Sequence, residues 1–174
     1  MDINILSEVI TDYQAEWPDK FLEESKQIIA ALGSDVIDIQ HIGSTSIIGM
    51  FGKPVIDIAI LTKSIKNISA FTERLELLSY SYKEEMSSKE RIFLRKGTPV
   101  KYYLSITCSD YYFWDRQIKF RDCLNNNPAL VEEYIALKKE NINKAPTVEL
   151  KDLSRSKVYN QGKGEFVEKV LRLT

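Results

Sequence analysis

The residues whose types and spacing suit chemistry lie in the segment 40–61, QHIGSTSIIGMFGKPVIDIAIL. Gly43 and Ser44 form a tight turn at the end of a strand, where a glycine lets the backbone approach a ligand closely. Ser44 and Thr45 offer hydroxyl groups and, where they begin a short helix, amide groups that suit an anionic phosphate. The same residues also serve as an ordinary strand-to-helix cap. The pattern leaves phosphate binding and capping equally open.

Asp57 stands in the middle of an apolar strand, between Ile56 and Ile58. Strand alternation places Asp57 and Ala59 on one face and the isoleucines on the other. A carboxylate in such a strand is costly to bury alone, so it usually faces a cleft, a metal or a cation. We expect Asp57 to be a catalytic or ligand-binding acid, and the alternative is a structural pair with Lys53 or an arginine.

The order of Gly-Ser, spacer and carboxylate-bearing strand resembles the nucleotidyltransferase fold typified by DNA polymerase beta. In that fold two carboxylates, two residues apart, and a third from a later strand hold Mg²⁺ against a nucleoside triphosphate. Here Asp57 matches the first position, but Ala59 stands at the second, and no acidic residue lies within 100–107 to supply the third. The resemblance makes Mg²⁺ a cofactor, held by Asp57, only if the protein is catalytic.

His41 is the single histidine of the chain and a candidate base or ligand because it lies beside Gly43. Alternation places it with Ile37 and Ile39 on an apolar strand face, which is typical of a packed, hydrogen-bonded imidazole. Any mechanism that needs two imidazoles from one chain is excluded.

Several basic side chains could form a positive rim for an anionic substrate, among them Lys53, Arg91 and Arg121. Basic residues on exposed strands also serve solubility, so the function of Arg91 stays open. Tyr159 and Lys163 are four residues apart on a predicted helix, a spacing that suits a shared binding face as well as a surface pair.

The balance of 24 basic against 25 acidic residues argues against a surface that coats nucleic acid. No stretch approaches the roughly 18 apolar residues of a membrane span. The acidic beginning of the chain is unlike a signal peptide, and the isolated Cys108 and Cys123 indicate neither a disulfide nor a zinc site. We expect a cytoplasmic protein that is not associated with a membrane.

Hydrophobic periodicity predicts the elements that must position these residues. They are a helix at 19–32, strands at 36–42 and 55–61, a helix at 64–79, a hairpin of 91–95 and 100–108, a helical region from 109, a helix at 128–141 and a last helix within 153–171. The pattern predicts an α+β fold with a mixed sheet. It forms one domain, 1–174, with a core of about 1–108 and a helical part of about 109–174.

The segments HIGST (41–45) and KPVIDI (53–58) together resemble the GrpB-like proteins, a family of the nucleotidyltransferase superfamily. The resemblance continues through RIFLRKGTPV, KFRDCL and LKKE, and these motifs cover most of the chain in order. Many relatives carry a His-x-His pair on the second hairpin strand, where this chain has Tyr103 and Ser105. Those two positions share a strand face that is able to meet Asp57.

The residues and the resemblance together predict a protein that binds a nucleotide or another phosphorylated small molecule. The predicted substrate-binding residues are Gly43, Ser44, Thr45, Lys53, Arg91, Tyr103, Ser105 and Arg121. Catalysis, if present, would be nucleotidyl transfer, but a single carboxylate makes binding the favoured role. The alternative is a non-catalytic interaction module for an unknown protein partner.

Overall fold

A mixed five-stranded sheet carries the predicted site. The computed structural model describes residues 10–109, 112–144, 157–160 and 162–174. The strands are β1 (Asp38–Ile42), β2 (Ile56–Thr62), β3 (Tyr80–Tyr82), β4 (Ile92–Lys96) and β5 (Tyr102–Cys108), in the order β1-β2-β5-β4-β3. The central pair β2 and β5 is parallel, and the other neighbours are antiparallel. The predicted α+β class with a mixed sheet is confirmed.

Helices precede, interrupt and follow these strands. They are α1 (Trp17–Leu32), α2 (Ile68–Glu76), α3 (Phe113–Asn125), α4 (Pro128–Lys144), α5 (Lys157–Asn160) and α6 (Lys163–Leu171). None of the helices in the described ranges is long and apolar enough to cross a membrane.

Two of the predicted elements differ from the structure. The predicted helix at 64–79 is too long, because the side chain of Asn67 accepts a hydrogen bond from the amide of Ala70 and caps α2 there. Its last residues lead instead into β3, a three-residue strand that is too short to show a periodic pattern. The predicted last helix is divided at Gly162, whose φ of 71° is left-handed, and its residues 153–156 and 161 lie outside the described ranges.

The main core lies on the sheet face that carries Ile56, Ile58 and Ile60, all of which are buried. Helices α1 and α2 cover this face with Ile28, Leu32, Phe71 and Leu75, among other residues. Complete burial of one such side chain contributes about 1.5–3 kcal/mol, so this layer fixes the register of β2. The alternation predicted for β2 is therefore observed, and the opposite face is left to Asp57.

The opposite face, hereafter the Asp57 face, is partly covered by the helices that follow β5. Trp114 of α3 packs on Ile42 and Ala59. A separate apolar cluster joins the segment after β1 to α4 and α6, through Ile47, Met50, Leu130, Tyr134 and Phe166. This second cluster brings α4 and α6 to the edge of the predicted site.

A buried ion pair links α1 to β4 on the main-core side. The Nζ atom of Lys96 lies 2.8 and 3.0 Å from the two carboxylate oxygens of Glu24, whose side chain is only 3% exposed. The rings of Tyr80 and Tyr102 lie about the same ammonium group, at 5.5 and 5.6 Å. Glu24 therefore depends on Lys96 for compensation of its charge.

We expect the substitution Lys96→Ala to lower the free energy of unfolding by about 3 kcal/mol, because it leaves the buried Glu24 carboxylate unpaired. The exposed pair Lys169–Glu133 supplies a matched control. Lys169→Ala is expected to cost less than about 1 kcal/mol. Urea unfolding of both variants measures the difference. Equal losses in the free energy of unfolding would show that the buried Glu24–Lys96 pair matters no more than an exposed one.

Candidate functional site

The turn that follows β1 lies directly against Asp57. Ile42 and Asp57 are paired in the antiparallel register of β1 and β2, so they share a face. Gly43 comes next, with a φ of 72°, and a β-carbon there would lie 2.8 Å from Cγ and 2.9 Å from Cβ of Asp57. Only glycine satisfies both the left-handed backbone and this close approach. The predicted Gly-Ser turn and the predicted carboxylate are thus in contact.

The hairpin strand β5 supplies the other wall. Its parallel register with β2 pairs Asp57 with Tyr103 and Ala59 with Ser105, so these four residues share the Asp57 face. The ring of Phe93, on the neighbouring β4, lies 5.3 Å from that of Tyr103. The structure therefore brings together Gly43, Asp57, Tyr103 and Ser105 as the strand alternation predicted.

Lys138 of α4 is a member of this site that the sequence analysis did not identify. Its side chain is 1% exposed, and its ammonium group donates hydrogen bonds to Ser44 Oγ at 2.8 Å and to the carbonyl oxygen of Phe51 at 2.7 Å. The rings of Phe51 and Tyr134 lie 5.0 and 5.3 Å from the same nitrogen. Burying a lysine ammonium group costs free energy even when its protons are hydrogen-bonded, so the position of Lys138 needs a specific explanation.

Lys138 belongs to a group of three lysines that we call the lysine cluster, namely Lys53, Lys138 and Lys163. Burial lowers the pKa of Lys138 to about 7, although the nearby Asp57 acts in the opposite direction. Burial, together with the charges of Lys138 and Lys53, lowers the pKa of Lys163 to about 7. Lys53 and Lys138 thus lie near Asp57, and Lys163 lies near both of these lysines.

The carboxyl group of Asp57 responds to the same environment. Burial raises its pKa to about 7, while the charges of Lys138, Lys53 and Arg91 oppose that rise. Asp57 and Lys138 therefore both exchange protons near neutral pH. Because the two groups interact, the protonation of one changes the pKa of the other.

Arg91 approaches the site from the start of β4. Its guanidinium group lies 5.0 Å from the ring of Phe93 and 5.2 Å from that of Phe113, and it donates a hydrogen bond to the carbonyl oxygen of Met86 at 2.8 Å. Burial lowers the pKa of Arg91, and Asp57 opposes the shift, so the two charges are close enough to interact. Of the basic residues predicted to form a rim, Lys53 and Arg91 thus lie near enough to Asp57 for their charges to act on its pKa.

His41 and Thr45 lie on the opposite side of the sheet from Asp57. His41 pairs with Ile58 and stacks on Phe21 at 5.0 Å, with the two rings only 10° from parallel. Its Nε2 lies 2.9 Å from Thr45 Oγ1, and that hydroxyl donates to the carbonyl oxygen of Val55. Burial, reinforced by the charge of Arg121, lowers the pKa of His41 to about 4, so the imidazole is neutral at pH 7. Both residues have the packed, hydrogen-bonded environment that the sequence left open.

Arg121 joins α3 to β1. Its guanidinium group donates hydrogen bonds to Gln40 Oε1 at 2.9 Å and to the carbonyl oxygen of His41 at 2.8 Å, and it also contacts Asp122. These contacts fix α3 across the sheet edge.

The predicted binding face of Tyr159 and Lys163 is described only in part. Lys163 lies near Lys53 and Lys138, whereas the side chain of Tyr159 lies outside the described part of the structure.

The residues of this site do not fit a pair of Mg²⁺ ions. Divalent metals of this kind need several carboxylate oxygens, and Asp57 is followed at the second position by Ala59. In the described part of the chain no three His, Cys, Asp or Glu side chains are grouped so that they could hold a metal ion. Lys53, Lys138 and Arg91 instead place positive charge near Asp57. This charge pattern suits an anion.

Comparison with solved structures defines the class of protein. A crystal structure of the conserved protein GrpB from Enterococcus faecalis is similar to this chain, with a TM-score of 0.80, 25% identity and coverage of 94% of this chain and 98% of that one. A crystal structure of the Cid1 poly(U) polymerase bound to MgATP gives a TM-score of 0.54 at 13% identity, over 82% of this chain and 46% of that one. The fold is therefore that of the nucleotidyltransferases.

Sequence comparison then shows the family. The family model described as GrpB protein matches residues 8–173, so this chain belongs to the GrpB family. The glutamate-rich protein GrpB of Alkalihalophilus pseudofirmus is 30% identical over 94% of this chain and 93% of its own length. The UPF0157 protein YqkA of Bacillus subtilis is 31% identical over 90% of this chain, which spans only 44% of that protein. The predicted GrpB-like resemblance is confirmed.

We expect Gly43→Ala to lower the free energy of unfolding by about 2 kcal/mol or more, because the new methyl group would meet Asp57 from a left-handed backbone position. Gly164→Ala is the matched control, since a β-carbon there meets no atom within 4 Å. That change is expected to be neutral or to stabilise α6 by up to about 1 kcal/mol. If chemical denaturation gives the same free energy of unfolding for both variants, a β-carbon at position 43 does not clash with Asp57.

Proposed function

We propose that this protein binds a nucleotide or another phosphorylated small molecule at the Asp57 face. The observation that carries the proposal is the proximity of three lysines, because the charges of Lys53 and Lys138 act both on the pKa of Asp57 and on the pKa of Lys163. Bringing like charges together in a partly dry site is unfavourable unless an anion compensates them. A phosphate group supplies such an anion and accepts hydrogen bonds from ammonium groups.

The cavity beside Ser44, which accepts a hydrogen bond from Lys138, suits a small, partly aromatic ligand. A cavity of about 150 Å³ begins at Gly43 and Ser44 and extends between α3, α4 and α6, where Phe120 and Tyr134 line it. The side chain of Arg116 also lines the cavity and pairs with Glu168 at 2.7 Å. Ligand groups beyond the phosphate would meet both aromatic and polar side chains there.

The similarity to Cid1 is a similarity of fold, and it supports the proposed class of ligand only in that respect. That enzyme was crystallised with MgATP and is 13% identical to this chain. We propose that this protein uses the same type of fold to bind a phosphorylated ligand without the metal pair. On this proposal the lysine cluster takes the place of the missing carboxylates and of the cations that they would hold.

Isothermal titration calorimetry with ATP and with inorganic pyrophosphate, each in Mg²⁺ and in EDTA, tests the proposal. We expect binding in EDTA. Lys163→Met is expected to weaken it about tenfold or more, since a hydrogen bond to a charged group is worth roughly 1.5–3 kcal/mol. Lys169→Met, a lysine change on the exposed side of the same helix, is expected to leave the affinity unchanged.

The variant Asp57→Asn separates anion binding from metal binding. It removes a negative charge, so the affinity for pyrophosphate in EDTA is expected to stay the same or to rise. A Mg²⁺-dependent site would instead lose its binding in this variant. Absence of any heat with every ligand, with and without Mg²⁺, would overturn the proposal and favour the interaction module.

A further inference from the structure

The contact between Ser44 and Lys138 has a geometry that goes beyond charge compensation. Lys138 Nζ lies 2.8 Å from Ser44 Oγ, and a second hydrogen bond to the Phe51 carbonyl oxygen, at 2.7 Å, fixes its position. The lysine side chain is 1% exposed and lies against the rings of Phe51 and Tyr134. An amine held in this way has one defined partner among side-chain hydroxyl groups, which is Ser44.

Ser44 is accessible from the other side. It is half-buried, it follows the left-handed Gly43, and it lines the cavity between α3, α4 and α6. A ligand in that cavity therefore meets Ser44, while Lys138 lies behind the hydroxyl group. Ser44 thus has a base on one side and ligand space on the other, an arrangement that nucleophilic serines require.

We propose that Ser44 is a nucleophile and that Lys138 is its general base, in an acyl transfer from a phosphorylated donor. Serine–lysine pairs are one of the known forms of the activated serine. The proposal rests on the proposed function, because Lys53 and Lys163 of the lysine cluster would hold the phosphate of the donor. It adds a covalent step that the family resemblance does not imply.

The protonation state of Lys138 agrees with this role. A general base must be neutral, and burial lowers the pKa of Lys138 to about 7. The charged group that acts on its pKa is Asp57 of β2, which favours the protonated amine, and the charge of Lys138 in turn lowers the pKa of Lys163 of α6. In its neutral form the amine can donate to Phe51 while it accepts the proton of Ser44 Oγ.

The simplest donor with both chemical features is an acyl phosphate. Ser44 Oγ attacks the carbonyl carbon and forms an ester bond, and its proton passes to Lys138 Nζ. The bond between the carbonyl carbon and the phosphate oxygen breaks, and phosphate leaves with the electron pair and takes the proton from Lys138 Nζ. Lys138 then accepts a proton from the water that attacks the ester carbonyl carbon, and it returns this proton to Ser44 Oγ as the ester bond breaks. The acyl group leaves as a carboxylate, and its acidic proton passes to solvent.

The test is covalent labelling of the full chain with a fluorophosphonate, followed by mapping of the labelled peptide by mass spectrometry. We expect Ser44 to be labelled in the wild type and Ser44→Ala to abolish the label. Lys138→Met is expected to slow labelling by about 100-fold or more, the usual contribution of a positioned base. Ser81→Ala, an exposed serine of the distant edge strand β3, is the matched control and should label at the wild-type rate.

The pH dependence of labelling in the wild type is a second readout that needs no substitution. The rate should rise as Lys138 loses its proton, with a midpoint near pH 7, and should reach a plateau above it. Incubation with acetyl phosphate followed by a rapid acid quench should trap one acetyl group on Ser44 before the ester is hydrolysed, which intact-mass measurement detects. A wild-type protein that is not labelled at Ser44, or a rate that does not change with pH, would overturn the proposal.

Calorimetry distinguishes failure of this inference from failure of the proposed function. If Ser44 is not labelled but wild type and Ser44→Ala both bind inorganic pyrophosphate, the nucleophile is wrong and anion binding stands. If Ser44 is labelled with the expected pH profile but pyrophosphate does not bind, the Ser44–Lys138 pair stands and the phosphorylated donor is wrong.

Discussion

The burial of the Lys138 ammonium group is the constraint on which the rest of the site depends. A buried charge without partners costs several kcal/mol, so its donors must find oxygen atoms in the folded chain. Ser44 Oγ and the Phe51 carbonyl oxygen provide them, and both belong to the segment between β1 and β2. The charge of one lysine on α4 therefore couples the later helices to the turn that contacts Asp57.

The buried Lys138 also gives this nucleotidyltransferase-like fold a positively charged site, in place of the carboxylates that would hold metal ions. The sheet register still presents Asp57, Tyr103 and Ser105 on one face, beside the Gly-Ser turn. What differs is the chemistry of the side chains, because Ala59 supplies no carboxylate and the lysine cluster supplies positive charge. The fold fixes where the residues lie, while the identity of a few side chains determines which ligand charge is favourable.

Strand alternation and turn chemistry made much of this arrangement predictable. The isoleucines of β2 indicated the core face, so Asp57 had to lie on the other face. The family resemblance pointed to Tyr103 and Ser105, and strand alternation indicated that these two share a face able to meet Asp57. Those inferences succeed because the period of a strand is two wherever one face is buried. The resemblance to the GrpB family then gave the fold as a whole.

The role of Lys138 was missed because a lysine is normally taken for a solvated residue. A signal did exist, since Lys138 follows Tyr134 by four residues and Leu130 by eight, and so continues the buried stripe of α4. For Arg121 and Thr45 no such signal is available. Whether they meet a ligand or their own backbone depends on contacts between residues far apart in sequence, as with Arg121 and Gln40. Tertiary packing alone determines those contacts.

We propose that the positive charge buried beside Asp57 binds an anion. The most direct test follows the lysine ε-methylene signals by NMR as the pH is raised, with the Lys138 signal assigned from its absence in Lys138→Met. We predict a pKa of about 7 for Lys138 in the free protein and a higher value when inorganic pyrophosphate is present. A value near the 10.4 of an exposed lysine, unchanged by pyrophosphate, would contradict the account.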